Sequence, residues 1–199
     1  MPHLSDERRD HFMRAAIGCF AHSGYRRTSM DSIARAAAVS RPALYQYFRN
    51  KEEVFRAAAE WGLNRVAARA ESAAAAPGST PERLRAVLLL VLHMHRTRDG
   101  HGRPGGEFYA ELVDETYARA HDVWQAFETR LLTSLAAVLA RHPDELGPAE
   151  ADMTAEDVAL VLLYGTKGLA LHVNDAALAT RGLGQLVDLT VRGLAPRDA

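Results

Sequence analysis

Cysteine is nearly missing: the 199 residues hold one, Cys19. That excludes an internal disulfide framework and any cluster built on thiolates alone. Beside Phe20 on an apolar face, Cys19 reads as a small buried hydrophobe, not a redox sensor. Long apolar runs are also absent. Val87–Leu92 and Val158–Tyr164 fall far short of a membrane span. The opening MPHLSDERRDHF has no apolar core of the kind a signal peptide needs. A soluble, cytoplasmic protein with no membrane partner is the expectation. Strand patterns are scarce, since no stretch alternates apolar and polar residues for long. Lysine is rare too, two against 22 arginines. No Gly-rich phosphate loop, H-E-x-x-H or nucleophile–base motif occurs, so an enzyme has little to stand on.

What the chain has is hydrophobic content, 48%, enough for a sizeable core. Its near-neutral charge of −1 is unevenly divided. Residues 1–51 hold nine Lys/Arg and four acids, a balance of +5, which leaves −6 for the rest. A basic head on an acidic body suggests a polyanionic partner for the head; a merely solvated surface is the plain alternative.

The periodicity predicts an all-α chain of about nine helices. The first runs from about Ser5 to His22, with Phe12, Met13, Ala16, Ile17 and Phe20 on one face. Gly24 suits a left-handed cap. Thr28 and Asp31 read as the capping box of a short second helix. Ser40 caps a third, Arg41–Phe48, with Pro42 tolerated in its first turn. Asn50 and Glu53 start a long fourth helix reaching about Ala75. After the Ala76–Pro81 linker come helices near 81–98, 105–118, 119–141, 154–173 and 176–194.

Two short helices separated by Ala38-Val39-Ser40 have the plan of a helix-turn-helix. On the third helix, Leu44 and Phe48 face inward. Arg41, Pro42, Ala43, Tyr45, Gln46 and Tyr47 are left outside. A helix lying in a DNA groove uses such residues: arginine and glutamine for base edges, tyrosine hydroxyls for phosphates, small residues for close approach. A helical hairpin with core tyrosines is the plain alternative.

The segment Phe12 to Phe55 resembles the TetR family of bacterial transcriptional regulators. The resemblance rests on Gly24-Tyr25, Thr28, Ile33-Ala34, Val39-Ser40, Leu44-Tyr45, Tyr47-Phe48 and Lys51. Two departures stand out. Ala38 replaces the usual turn glycine, so the turn is expected to form without a residue at positive φ. Arg41-Pro42-Ala43 replaces a commoner lysine-glycine-threonine run.

The resemblance implies a DNA-binding domain over 1–50, formed by three helices, and a helical ligand-binding and dimerisation domain over 51–199. It implies phosphate and sugar contacts from Thr28, Ser29, Tyr45, Tyr47 and Lys51. Arg41 and Gln46 are then the base readers, with Ser40, Pro42 and Ala43 beside them. It also implies an operator-DNA partner, a homodimer and a small-molecule inducer of unknown identity. The function so implied is a repressor released by its ligand. The alternatives are a helix-turn-helix regulator without a ligand and, remotely, a helical carrier or enzyme.

Apolar stripes on the last two helices support the dimer. Val161, Gly165, His172, Leu183, Leu186, Val187 and Thr190 are its expected interface. Trp61, His93, Phe108, Tyr109, His121, Trp124, Phe127 and Tyr164 are the expected ligand contacts, aromatics with a few polar groups. No cofactor or metal is expected. His93 and His95, two apart, point to different sides of a helix and cannot readily share an ion with His101, Glu107 or His121.

Overall fold

A computed structural model describes residues 6–96, 110–141 and 153–195. Among them are nine α-helices and no strand. The helices are α1 (Asp6–Arg27), α2 (Met30–Ala36), α3 (Arg41–Tyr47), α4 (Lys51–Ala75), α5 (Thr80–Met94), α6 (Ala110–Arg119), α7 (His121–Ala140), α8 (Ala155–His172) and α9 (Ala176–Leu194). They fall into two compact units. One holds the described residues of Met1–Arg65 and Glu107–Ala126, the other those of Val66–Gly106 and Phe127–Ala199. None is long and apolar enough to cross a membrane.

In the first unit, Phe12, Phe20, Ile33, Leu44 and Phe55 form the buried core. Phe12 stacks on Phe48, with centroids 5.4 Å apart, and Phe20 meets Phe55 edge-on at 5.1 Å. Gly24 breaks α1 at φ 72, ψ 160. That is the extended, glycine-only region, not the left-handed helical cap the sequence suggested. The chain then turns through Thr28. Its hydroxyl is buried, 2.8 Å from the Gly24 carbonyl and 3.1 Å from that of Cys19. The capping box of α2 is therefore Ser29 with Ser32, not Thr28 with Asp31. Ser32 N–H donates to Ser29 Oγ (3.1 Å), and Ser29 N–H donates to Ser32 Oγ (3.0 Å).

The turn after α2 does use a positive φ. Ala38 stands at φ 52. Its N–H donates to the Arg35 carbonyl (3.1 Å), and Val39 N–H to that of Ala34 (3.0 Å). Those two bonds make a Schellman motif, with alanine at the position where glycine is usual.

In the second unit, α5 packs against both α8 and α9. Leu84, Val87, Leu88, Val91 and Leu92 supply its buried face. The α8–α9 seam is close because each helix offers a glycine to a leucine of the other. A Cβ on Gly165 would lie 2.9 Å from Leu186 Cδ2, and one on Gly182 would lie 3.1 Å from Leu169 Cδ2.

Candidate nucleic-acid interface

α3 begins where Ser40 Oγ accepts the Ala43 N–H (3.2 Å), with Pro42 in the first turn, where its missing donor costs nothing. Leu44 anchors the helix in the core, 1% exposed. That anchor turns Arg41, Pro42, Tyr45 and Gln46 outward, all exposed. Arg41 reaches Asp31 on α2 (3.2 Å) and lies over the Tyr45 ring at 5.6 Å. The Tyr45 side chain and the Asp31 charge push the Arg41 guanidinium above its ordinary pKa, so it stays a cation. Ser29, Ser40, Arg41, Pro42, Tyr45 and Gln46 thus share an exposed surface on α2–α3, with Ala43 half-buried beside them.

Three expected contacts are placed differently. Thr28 faces inward, with its hydroxyl held by backbone carbonyls as described above. Tyr47 is half-buried and helps line a cleft of about 540 Å³ with Phe12, Val39 and Phe48. Lys51 Nζ donates to the carbonyls of Tyr25 (2.7 Å) and Arg26 (3.3 Å), the last turn of α1. It also lies 4.4 Å from the Tyr25 ring centroid. A cation there compensates the negative end of α1, which explains a lysine at the otherwise unfavourable start of α4. Asn50 caps α4 as expected, its Oδ1 accepting the Glu53 N–H (2.9 Å).

One group of contacts was not visible in the sequence. The Tyr25 ring takes Arg119 of α6 on its face, with the guanidinium carbon 3.8 Å from the centroid. Arg56 of α4 and Asp122 of α7 form a two-pronged ion pair, one bond being 2.7 Å. The Arg56 hydrogen bond holds the Asp122 carboxyl at about 2, well below the usual carboxylate range. The end of α6 is thus fastened to α1, and the start of α7 to α4.

Residues 12–58 match the family model described as bacterial regulatory proteins, tetR family. The transcriptional activator FasR of Mycolicibacterium smegmatis is 35% identical over 83 residues, 42% of this chain and 38% of that protein. The chain spans less than half the length of the curated relatives it matches. Over nearly the whole chain the fold follows solved structures. A TetR-like transcriptional regulator from Rhodococcus sp. RHA1 is 26% identical, with TM-score 0.66, over 96% of this chain and all of that one. A TetR-family regulator from Streptomyces coelicolor, 18% identical, has TM-score 0.72 over 96% of this chain and 98% of that one. Residues 12–58 thus match the N-terminal segment of the tetR family, and the fold is similar to that of TetR-family regulators.

The expected dimer residues split. Leu183 and Val187 are buried in their own unit, and Gly165 meets Leu186 at the α8–α9 seam of the same chain. Thr190 donates to the Leu186 carbonyl (2.8 Å). Val161 and His172 are exposed. The outward apolar face also includes Leu160, Tyr164 and Leu171 on α8, and Leu178 and Leu189 on α9, residues the stripe analysis passed over.

The expected ligand contacts scatter too. Trp124 and Phe127 are buried, while His93, His121 and Tyr164 are exposed. Trp61 donates its indole N–H to Asp10 (2.7 Å) and carries Arg65 over its ring at 5.0 Å. Tyr164 donates to Glu128 (3.2 Å), which also pairs with Lys167. Phe108 and Tyr109 lie outside the described residues, as do His101 and Glu107.

Proposed function

We propose that the chain is a sequence-specific DNA-binding transcriptional regulator. It acts as a homodimer in the cytoplasm and works as a repressor whose operator binding is released by a small molecule. Residues 1–50 are the DNA-binding part and 51–199 the ligand-binding and dimerisation part. One observation carries this reading. A helix-turn-helix in a head of charge +5 exposes Arg41, Tyr45 and Gln46 together on α3. Arg41 and Gln46 take base edges, while Tyr45, Tyr47 and Ser29 take phosphate and sugar. Thr28 and Lys51 serve by holding the head's shape.

The exposed apolar residues of α8 and α9 support the homodimer, because several large apolar side chains exposed on two neighbouring helices suit an interface. A two-fold dimer presents two reading helices about one DNA turn, ~34 Å, apart. Release then requires a ligand that binds one spacing of those helices better than another. The Arg119–Tyr25 and Arg56–Asp122 contacts supply the lever, since movement of the end of α6 pulls on α1 and movement of the start of α7 pulls on α4. Trp61 and Trp124 remain the candidate effector contacts.

Selection of operators from random DNA by the full-length protein tests the reading. The expected result is enrichment of a two-fold-related pair of half-sites. Recovery of no sequence above the unselected pool refutes sequence-specific binding.

A further inference from the structure

α5 opens at Ser79, whose N–H and hydroxyl both donate to Glu82 (2.8 Å each). In the same turn two polar side chains face inward. Thr80 and Arg83, three apart and so on one side of the helix, are 2% and 3% exposed. Thr80 Oγ1 and Arg83 Nε and Nη2 have no hydrogen-bond partner. Nε and Nη2 occupy one edge of the planar guanidinium, the fork that fits two oxygens of a carboxylate or phosphate.

Leaving that edge buried and empty is costly. Its position in the first turn adds repulsion from the positive end of the helix. The helices packed together here do not offset it. α5, α8 and α9 carry four acids between them. Glu82 is taken by Ser79, Asp157 by Thr154 and Asp188 by Arg85, and Glu156 is exposed. Among the described residues, then, the open edge of the Arg83 guanidinium and the Thr80 hydroxyl are buried on one side of α5 with no anion bonded to them, a donor set suited to an oxyanion.

We propose that Thr80 and Arg83 bind the oxyanion head of a small ligand, a carboxylate or a phosphate. Arg83 grips two oxygens through Nε and Nη2, and Thr80 donates its hydroxyl. The proposal deepens the effector reading above and rests on it for its regulatory meaning.

The test uses the full-length protein without DNA. Thermal unfolding and calorimetry are run against inorganic phosphate and, separately, hexanoate, with chloride at matched ionic strength as the reference. The wild type is expected to show saturable binding and a rising Tm with one of the two, and that arm identifies the head group. Arg83→Lys keeps the charge but loses the fork, and should bind at least tenfold more weakly. Arg83→Met should not bind at all and should melt higher than wild type in chloride. If Arg83→Met fails to fold, Thr80→Val takes its place, with weakened binding expected. No saturable effect of either probe on the wild type overturns the proposal. So does equal binding by wild type and the substituted proteins. Operator binding is measured on the same preparations, so loss of this site leaves the DNA-binding reading standing, and the reverse.

Discussion

Replacing Ala38 by glycine should make the head more stable. Ala38 occupies the left-handed position of the Schellman motif that ends α2, at φ 52. An L-residue there brings its Cβ too close to the following carbonyl, at about 1–2 kcal/mol. Glycine has no such clash, but it returns ~0.5–1 kcal/mol through the greater freedom of its unfolded chain. The balance favours Ala38→Gly by about 0.5–1 kcal/mol, roughly a two- to fivefold change in the opening equilibrium. The Ala38 side chain is exposed, so little packing is lost. Amide hydrogen exchange reads the effect locally. Val39 N–H, bonded to Ala34, and Leu44 N–H, bonded to Ser40, should both exchange about two- to fivefold more slowly. Ala36→Gly provides the control. The same chemical change two residues earlier falls inside α2, where it should destabilise by about 0.5–1 kcal/mol. Faster or unchanged exchange in Ala38→Gly would refute the strain argument, as would a shift of the same sign in both variants.

Three further outcomes are expected. Lys51→Met should lower the stability of the first unit by about 1–2 kcal/mol, the scale of a charged hydrogen bond. The slope of log K against log[salt] for DNA binding should barely move; a drop of about one unit would mean that Lys51 contacts phosphate after all. Leu189→Glu, at a position 70% exposed, should leave monomer stability within about 0.5 kcal/mol and convert a dimer to a monomer in light scattering. A variant that stays dimeric, or a wild type that is already monomeric, defeats the α8–α9 interface. For Asp122, with its folded pKa about 2 against 3.8 ordinarily, the stabilisation is present above about pH 4 and is lost as pH falls towards 2. The acid-unfolding curves of wild type and Asp122→Asn should therefore differ above pH 4 and converge near pH 2; parallel curves would show that the Arg56 pair contributes nothing.

What the sequence made legible was local. Helix periods, the Ser40 and Asn50 caps, and the inward Leu44 depend on neighbours within four residues, so they can be read from spacing. The misreadings arose where a residue's partner is distant in sequence or where two adjacent residues compete for one role. Thr28 and Ser29 are both good N-caps. The carbonyl left by the break at Gly24 takes the threonine, and Ser29 is left to cap. Lys51 was open to a phosphate role because its partners, Tyr25 and Arg26, lie about half the head away in sequence. The α8 and α9 stripes showed that both helices carry wide apolar faces, but a stripe cannot say which part of it a neighbouring helix takes. The Gly165–Leu186 and Gly182–Leu169 contacts decide that, and they leave Leu189 and Leu171 exposed.

The least legible feature was the set of contacts by which α6 and the start of α7 meet α1 and α4 within the first unit. Nothing local marks Arg119 as the partner of Tyr25, or Asp122 as that of Arg56, because an arginine ending one helix and an aspartate opening the next are ordinary terminal charges. Their placement changes the mechanism to be expected. A long helix acting alone transmits a push along its axis. The α6–α7 corner, fastened to α1 through Arg119 and to α4 through Asp122, resists sliding and passes on rotation instead. If release works through α6, cutting either contact should uncouple ligand from operator without abolishing the affinity for either. Arg119→Ala should then bind both partners while the reciprocal coupling factor falls towards one. An unchanged factor would show that the Arg119 contact is not part of the lever.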